Sequence, residues 1–505
     1  MDRQKSRLNV SISIVSRVLL LVAAFVVRRL LIQYIGNDVN GLNTLYTDII
    51  GMLAVAELGV GSAISYSMYK PIVEGNREKV AVLYGLYQRL YRIIGGVILF
   101  AGLLVMPFLP GMIRDGSTLK VDIYLCFGLL LVSVVLSYLY GAKTSLIEAY
   151  KDNYLTTGIL TLCRLIQYGL QAMVLIVFRS FPLFLACQIL ETLLAWGITE
   201  VVVRRQHGDI LALRETVDRE TKKEIGRNIR AMMMHRIGTV LVNTVDSVII
   251  SAFIGVAVLG KYSNYVLIAS VMSGTISLFF TPLTSVIGHL CALGNREEIK
   301  RHFDRFYFLN YALGLVFFLG YYAVADQAVR LCFGAGLEVS GTVSFIIALD
   351  GFIKFMRKAT LLFRDASGTF YYDRWKPIAE GVVNLGLSLI FVQIFPEEYR
   401  VAGVIAATII TSLLICHVVD PYVVYKHVFR QPVKEYWMRN YVYIGLFAGA
   451  LILVSFLKTE NLLLNGLMAV GAAAVVLGMV ELGDRAFVRK AAIFRFLYGD
   501  QLRQE

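Results

Sequence analysis

Charged side chains are scarce in this chain. Only 17% of its 505 residues are Asp, Glu, Lys or Arg, where a soluble domain carries about 25%. Proline is scarce too, with 9 in the whole length, so long helices can run without the breaks proline imposes. The six cysteines (Cys126, Cys163, Cys187, Cys291, Cys332 and Cys416) show no C-x-x-C spacing, and five lie inside apolar runs. That pattern argues against a disulfide framework or a metal site and fits small apolar core residues.

Chemical motifs are missing as well. There is no H-E-x-x-H, no G-x-S-x-G and no complete nucleotide loop. The stretch from Gly255 to Lys261 is one letter short of a phosphate-binding loop, but Tyr262 stands where Ser or Thr must hold magnesium, and no strand precedes it. Neither metal nor cofactor is expected. The one long polar stretch is 204–232, which leaves no room for a catalytic outer domain, so an enzyme is not expected. A basic soluble domain that would bind nucleic acid is absent.

What fills the chain is apolar sequence: 57% of residues are hydrophobic and the mean hydropathy is +0.66. Runs of about 20 apolar residues, each long enough to cross a hydrocarbon core as a helix, recur from end to end. They predict an all-α polytopic membrane protein with about fourteen spans, near 12–35, 42–69, 82–109, 121–147, 155–178, 182–203, 233–254, 262–290, 304–329, 341–363, 377–395, 401–425, 438–457 and 462–482. The basic start at Arg3, Lys5 and Arg7 resembles a signal peptide, but the apolar run after it is too long and carries Arg28 and Arg29, so it reads as an uncleaved first span. With the N-terminus in the cytoplasm, cytoplasmic segments and their helix edges collect 38 of the 49 Lys and Arg, and outer segments collect seven. This bias orients the chain with both termini in the cytoplasm. The net charge of +13 is then mostly an orientation signal, aided by anionic membrane lipid.

The four residues Gly75-Asn76-Arg77-Glu78 recur as Gly294-Asn295-Arg296-Glu297, 219 positions on. In that register, 12 of the 61 positions from Ile35 to Gly95 match without a gap. Glycines and turn residues keep step, which apolar composition alone does not produce. Two parallel repeats of six helices follow. The organisation expected is an N-terminal lobe at 1–203, a cytoplasmic connector at 204–232, a C-terminal lobe at 233–430, and two further helices with a cytoplasmic tail at 431–505.

Ionisable residues inside spans are costly and mark cavities or partners. Arg17 and Arg28 are 11 residues apart, so they share a stripe of helix 1, with Arg29 about 100° round. The register carries Arg17 onto Arg236. Arg164, Gln167 and Gln171 share a face of helix 5, and Asp350, Lys354 and Arg357 share one on helix 10. Asn243 and Asp246 lie on helix 7, Asp48 and Glu57 on helix 2, and Glu380 and Asn384 are four apart on helix 11. A cationic, amide-rich cavity of this kind suits a pyrophosphate joined to sugars, because arginine offers a permanently charged fork to phosphate oxygens. The expected substrate set is Arg17, Arg28, Arg29, Arg164, Gln167, Arg236, Asn243, Lys354 and Arg357. Glu57, Asp246 and Asp350 are the candidates for ion coupling or ion pairing.

The segment from Arg28 to Val80 resembles the opening helices of Wzx-type polysaccharide-repeat-unit flippases, in the multidrug/oligosaccharidyl-lipid/polysaccharide exporter superfamily. Val245–Tyr265 resembles the start of that family's second half, and Phe370–Ile390 its tenth-to-eleventh-helix region. The resemblance implies two six-helix lobes in a V around a central cationic cavity. It also implies alternating-access flipping of a polyprenyl-pyrophosphate-linked oligosaccharide from the inner to the outer leaflet of a bacterial cytoplasmic membrane. The implied partners are an undecaprenyl-linked glycan, membrane lipid and a polysaccharide polymerase machinery. Among flippases of this kind, cavity arginines in the first and seventh helices are typical, and Arg17, Arg28 and Arg236 match in position. A departure is Ile276, which stands on helix 8 where helix 2 has Glu57. The alternatives are a drug or cation antiporter of the same superfamily, which would want an acidic or aromatic cavity, and a lipid II-type precursor flippase.

Overall fold

The computed structural model describes residues 2–54, 60–114, 116, 119–212, 244–280, 283–369 and 372–483. Among them no strand occurs. We label the main helices α1 (Asp2–Tyr34), α2 (Asn37–Leu53), α3 (Val60–Val73), α4 (Arg77–Val105), α5 (Ile123–Ala149), α6 (Asn153–Val177), α7 (Phe181–Ala212) and α8 (Thr244–Ile254). They continue as α9 (Val256–Phe280), α10 (Leu283–Leu293), α11 (Arg296–Phe333), α12 (Gly341–Ala366), α13 (Lys376–Ile394), α14 (Glu397–Phe429), α15 (Lys434–Leu457) and α16 (Leu462–Gly483).

Among the described residues, ten helices are long and apolar enough to cross a membrane, and the chain is a multi-pass membrane protein. The expected spans outside that set are the first, second, seventh and tenth. The second is divided into α2 and α3, of 17 and 14 residues. The seventh is described only from Thr244. The tenth, α12, carries Asp350, Lys354, Arg357, Lys358, Arg364 and Asp365, which lower its hydropathy.

The 219-residue register is visible in backbone detail. Gly36 and Gly255 have φ of 136° and 143°, a region that favours glycine. The Gly36 N–H donates to Leu31 at 3.2 Å and its carbonyl accepts from Asn40 at 3.3 Å; Gly255 does the same with Ile250 at 2.9 Å and Leu259 at 3.1 Å. Each glycine closes one helix and opens the next, and every partner is shifted by 219. In the two GNRE turns, Asn76 accepts from the Lys79 N–H at 2.9 Å and Asn295 from the Glu298 N–H at 3.3 Å, the same N-cap twice. Tyr46 and Tyr265 are both fully buried.

The chain forms two compact units: Met1–Lys261 with Cys332–Gly334, and Tyr262–Leu331 with Ala335–Glu505. In the first unit, α5 packs along α7 and against α4, and α6 lies against both α1 and α7. Lys143 is buried on α5, paired with Glu200 of α7 and set 5.5 Å from the Trp196 ring. The first turns of α2 and α9 touch through glycine. A Cβ on Gly41 would strike the Val256 carbonyl, and one on Gly260 the Asn37 carbonyl. Asn37 Nδ2 donates to the Ala257 carbonyl at 2.7 Å and Asn40 Nδ2 to the Gly260 carbonyl at 3.3 Å, so the close approach is satisfied by polar ties as well as by the missing side chains.

The second unit has an aromatic core. Phe303, Tyr307 and Tyr311 of α11 are fully buried. Tyr307 meets Tyr436 of α15 with ring centroids 4.9 Å apart, and Tyr311 stacks on Tyr443 at 4.0 Å. Phe352 of α12 stacks on Phe447 of α15 at 3.8 Å and 10°. The helices beyond the repeat are therefore built into this core. Polar bonds fix them further: Tyr307 Oη donates to Asn440 at 2.7 Å, Lys458 pairs with Asp326 at 2.5 Å, and Asn465 of α16 donates to the Ala323 carbonyl at 3.2 Å.

Candidate functional site

Among the described residues, several places gather polar and charged groups, and three of them carry residues singled out by the sequence. The first lies in the first unit, on α1, α2 and α8. Arg28 is half-buried on α1, with its guanidinium 5.8 Å from the Phe333 ring. Phe25, one turn earlier, stacks on the same ring at 5.5 Å. Asp48 of α2 is half-buried. Asp246, beside Ser247, is buried. Arg17 and Arg29 are exposed on α1. Glu57, Arg236 and Asn243 lie outside the described residues.

The second place is the α5–α6–α7 face of the same unit. Arg164 is exposed on α6, while Gln167 and Gln171 are buried. Gln171 Nε2 donates to the Phe184 carbonyl at 3.1 Å, which fixes the α6–α7 turn. Glu191 of α7 is buried. It accepts from Thr192 at 3.4 Å, whose hydroxyl meets Ser133 of α5 at 3.3 Å. The three sequence-predicted residues of α6 thus divide: one faces out, one is tied to backbone, and Gln167 lies in the interior.

The third place is a network of buried charges inside the second unit. Asp420 of α14 is 1% exposed and touches Lys376 at 2.6 Å, Arg357 at 3.2 Å and Arg364 at 3.8 Å. Arg357 also meets Glu380 at 3.5 Å, and Arg364 meets Asp373 at 2.6 Å. Two π turns, Ser412–Cys416 and Tyr425–Phe429, flank the segment of α14 that carries His417 and Asp420; such turns shift the facing of the residues they enclose. His417 Nε2 donates to the Ile353 carbonyl at 3.1 Å, and Asn440 Nδ2 donates to His417 Nδ1 at 3.0 Å. This histidine is a buried residue with both ring nitrogens satisfied. Lys354 pairs with Asp350 at 2.8 Å, one helical turn away.

Sequence spacing therefore grouped Asp350, Lys354 and Arg357 by face, but the structure pairs the first two with each other and gives Arg357 to two carboxylates of other helices. Asp420, Lys376, Arg364 and Asp373 escaped the sequence reading, as did Glu191. Their signal was available only as single charges in apolar runs, Glu191 and Asp420 above all; nothing in one sequence says which cation meets which anion.

At the end of the first unit that carries the GNRE turn, a cavity of about 420 Å³ is lined by Asn76, Arg77, Tyr150, Gln206, His207 and Asp209, among others. Arg77 pairs with Asp209 at 2.5 Å across it, and the Tyr150 and His207 rings stack at 4.3 Å. The GNRE turn thus clasps the end of α7, a structural role.

The fold is shared with solved membrane transporters. A structure named as the lipid II flippase MurJ, in an inward closed conformation, superposes with a TM-score of 0.66 at 12% identity, over 95% of this chain and 99% of that one. An inward-facing multidrug resistance MATE family transporter of the MOP superfamily superposes with a TM-score of 0.57 at 13% identity, over 85% of this chain and 94% of that one. An outward-facing structure of such a transporter gives 0.53 at 14% identity, over 88% and 96%. No protein-family model and no curated protein matches the chain.

Proposed function

We propose that this chain, which has the fold of lipid and drug transporters, is a flippase for a polyprenyl-pyrophosphate-linked oligosaccharide. It carries the substrate from the cytoplasmic to the outer leaflet of a bacterial inner membrane by alternating access. The observation that carries the reading is Arg28, a half-buried arginine on an apolar helix whose guanidinium lies 5.8 Å from the Phe333 ring on which Phe25 stacks. A permanent cation in a low-dielectric setting is the group that recognises a phosphate ester. A cationic drug would meet repulsion there, so the basic setting disfavours the antiporter reading. Arg17 and Arg29, exposed on the same helix, would guide the headgroup towards Arg28. Arg164 and Gln167 would meet sugar hydroxyls. Arg357 and Lys354 hold carboxylates of their own unit and contribute less to the substrate. Both termini would lie in the cytoplasm, with the polymerase that consumes the flipped unit nearby.

The lipid II flippase reading draws on the shared MurJ fold and predicts the same chemistry with a peptide-bearing sugar. One experiment separates the readings. In a strain lacking this chain, lipid-linked glycan intermediates are extracted and identified by mass spectrometry. Accumulated oligosaccharide-pyrophosphate-polyprenol supports the proposal, and accumulated lipid II supports the alternative. No accumulation of either, with unchanged drug sensitivity to a restored copy, refutes both. Arg28→Ala should fail to relieve the accumulation while reaching the membrane at the wild-type level.

A further inference from the structure

Exposed rings and cations gather in the second unit where two apolar spans end. α13 begins at Lys376 and α14 finishes at Phe429. Tyr372 and His427 stack with ring centroids 3.7 Å apart and planes at 8°, which ties these two ends together. Tyr372 and Trp375 are 58% and 61% exposed, and Tyr422 is exposed too. Trp and Tyr left out at the end of a span sit at the level of lipid headgroups. Lys426 donates to the Tyr422 hydroxyl at 3.0 Å and lies 5.2 Å from its ring. Tyr422, Lys426 and Arg430, spaced by four, are all exposed, so they form an outward row at the end of α14.

Charge at this end is one-sided. Residues 372–376 and 422–434 hold five Lys and Arg against one carboxylate, Asp373. That carboxylate is 2% exposed and held by Arg364 at 2.6 Å, and Lys376 is turned inward to Asp420 at 2.6 Å. Lys426, Arg430 and Lys434 face outward, with no carboxylate in either segment left to answer them; Glu435, beside Lys434, is exposed. The opposite ends of the same two helices are the reverse: Glu397 and Glu398 are exposed, and Arg400 pairs with Glu397 at 3.6 Å. Arg430 closes α14 with φ 56° and ψ 44°, a left-handed conformation that favours glycine. Gly75, Gly294 and Gly368 occupy such angles elsewhere. Here the chain keeps a charge against the preference of its backbone. A cation also suits a helix C-terminus, but glycine would fill that purely structural role without loss of stability.

We propose that this patch binds the headgroup of an anionic phospholipid. Lys426 and Arg430 take the phosphate, and Tyr372, Trp375 and Tyr422 lie along the glycerol and the first acyl carbons. Cations at the end of a span attract anionic headgroups, and the arginine fork matches phosphate oxygens. The amphipathic rings suit the boundary between headgroup and hydrocarbon. A zwitterionic headgroup brings its own ammonium, which the two cations repel. The ligand is thus a structural lipid of the surrounding bilayer, held at a fixed place on the outside of the second unit.

Full-length, delipidated protein in detergent is titrated with dioleoylphosphatidylglycerol or dioleoylphosphatidylcholine, and the retained lipid is counted by native mass spectrometry. Wild type should prefer phosphatidylglycerol by roughly 25-fold, about fivefold for each of the two cations. The double variant Lys426→Gln with Arg430→Gln should lose most of that preference, and Arg400→Gln, at the opposite end, should keep it. Arg430→Gly relaxes the left-handed residue, so it should melt no lower than wild type while its preference falls about fivefold. Equal retention of the two lipids by wild type overturns the assignment, as does a preference that survives in the double variant or falls as far in Arg400→Gln. An Arg430→Gly protein that melts lower yet keeps the preference shows a structural cap and overturns the role of Arg430. Glycerol 1-phosphate should not bind at the lipid concentrations used; if it binds as well as phosphatidylglycerol, the site takes a free phosphate ester and the lipid assignment falls.

Discussion

Consider the substitution Asp420→Asn. Its carboxylate is the common partner of Lys376, Arg357 and Arg364, at 2.6, 3.2 and 3.8 Å, and it is 1% exposed. Asparagine keeps the volume and removes the charge. Arg364 retains Asp373 at 2.6 Å, and Arg357 retains Glu380 at 3.5 Å. Lys376 suffers most, because its other carboxylate is Glu380 at 3.9 Å. The loss is thus close to that of one partner from a buried pair, roughly 3–5 kcal/mol. Spread over a unit of about 240 residues, with an unfolding entropy near 2.1 cal/mol/K per residue, that is a fall in melting temperature of roughly 6–10 °C. The assay is the fraction of detergent-solubilised protein that stays monodisperse on size exclusion after heating. The neutral double variant Asp420→Asn with Lys376→Met should recover part of the loss, since removing both charges leaves neither unpaired. The reasoning is refuted if Asp420→Asn melts within about 1 °C of wild type, or if the double variant loses the plain sum of the two single losses.

Three further outcomes follow from particular contacts. Gly41→Val places side-chain carbons against the Val256 carbonyl, which is backbone and cannot swing aside, so the loss should exceed the roughly 1–3 kcal/mol of ordinary overpacking; Gly85→Val, with open space around it, is the control in the same melting assay. Phe447→Ala removes a fully buried ring stacked on Phe352 and should cost roughly 3–5 kcal/mol; if it costs no more than an exposed position such as Phe456→Ala, α15 is not part of the core. The turn before α12 supplies a pH dependence. Burial pushes the Glu338 carboxyl up, but Arg330 at 2.7 Å and the Gly336 N–H at 2.7 Å more than offset this and hold it below its ordinary range. A depressed carboxylate contributes stability above its unfolded pKa and loses it as the pH falls through the folded one. Melting curves of wild type and Glu338→Gln should therefore differ at neutral pH and converge as the medium becomes more acidic than the ordinary glutamate range; a constant difference would show that the bond acts without regard to charge.

The helices and the duplication were legible because both are local properties written along the chain. Apolar runs mark each helix by composition, and the glycine and N-cap residues of Gly36, Gly75 and their partners 219 positions on mark the joints by backbone requirement. A turn that needs positive φ, or an N–H that needs a side-chain acceptor, restricts the residue type at that position whatever surrounds it. The periodicity of Arg17 and Arg28 likewise predicts a shared stripe without saying what it faces, and the structure gives the two different surroundings, one exposed and one half-buried.

Pairing was not legible, because it is decided by which helices touch. Helical spacing assigns Arg357 to the face of Asp350 and Lys354, yet its partners Glu380 and Asp420 arrive from α13 and α14, 23 and 63 residues away. Nor does composition show that Asn440 of an appended helix holds His417 in place. The sequence by itself determined a helical, membrane-spanning, internally duplicated chain, since hydrophobicity and backbone geometry act residue by residue. Only the tertiary structure decided which buried charges neutralise one another, as Asp420 does with Lys376 and Arg357, because Coulomb attraction at a few ångströms depends on distances between helices that no single segment encodes.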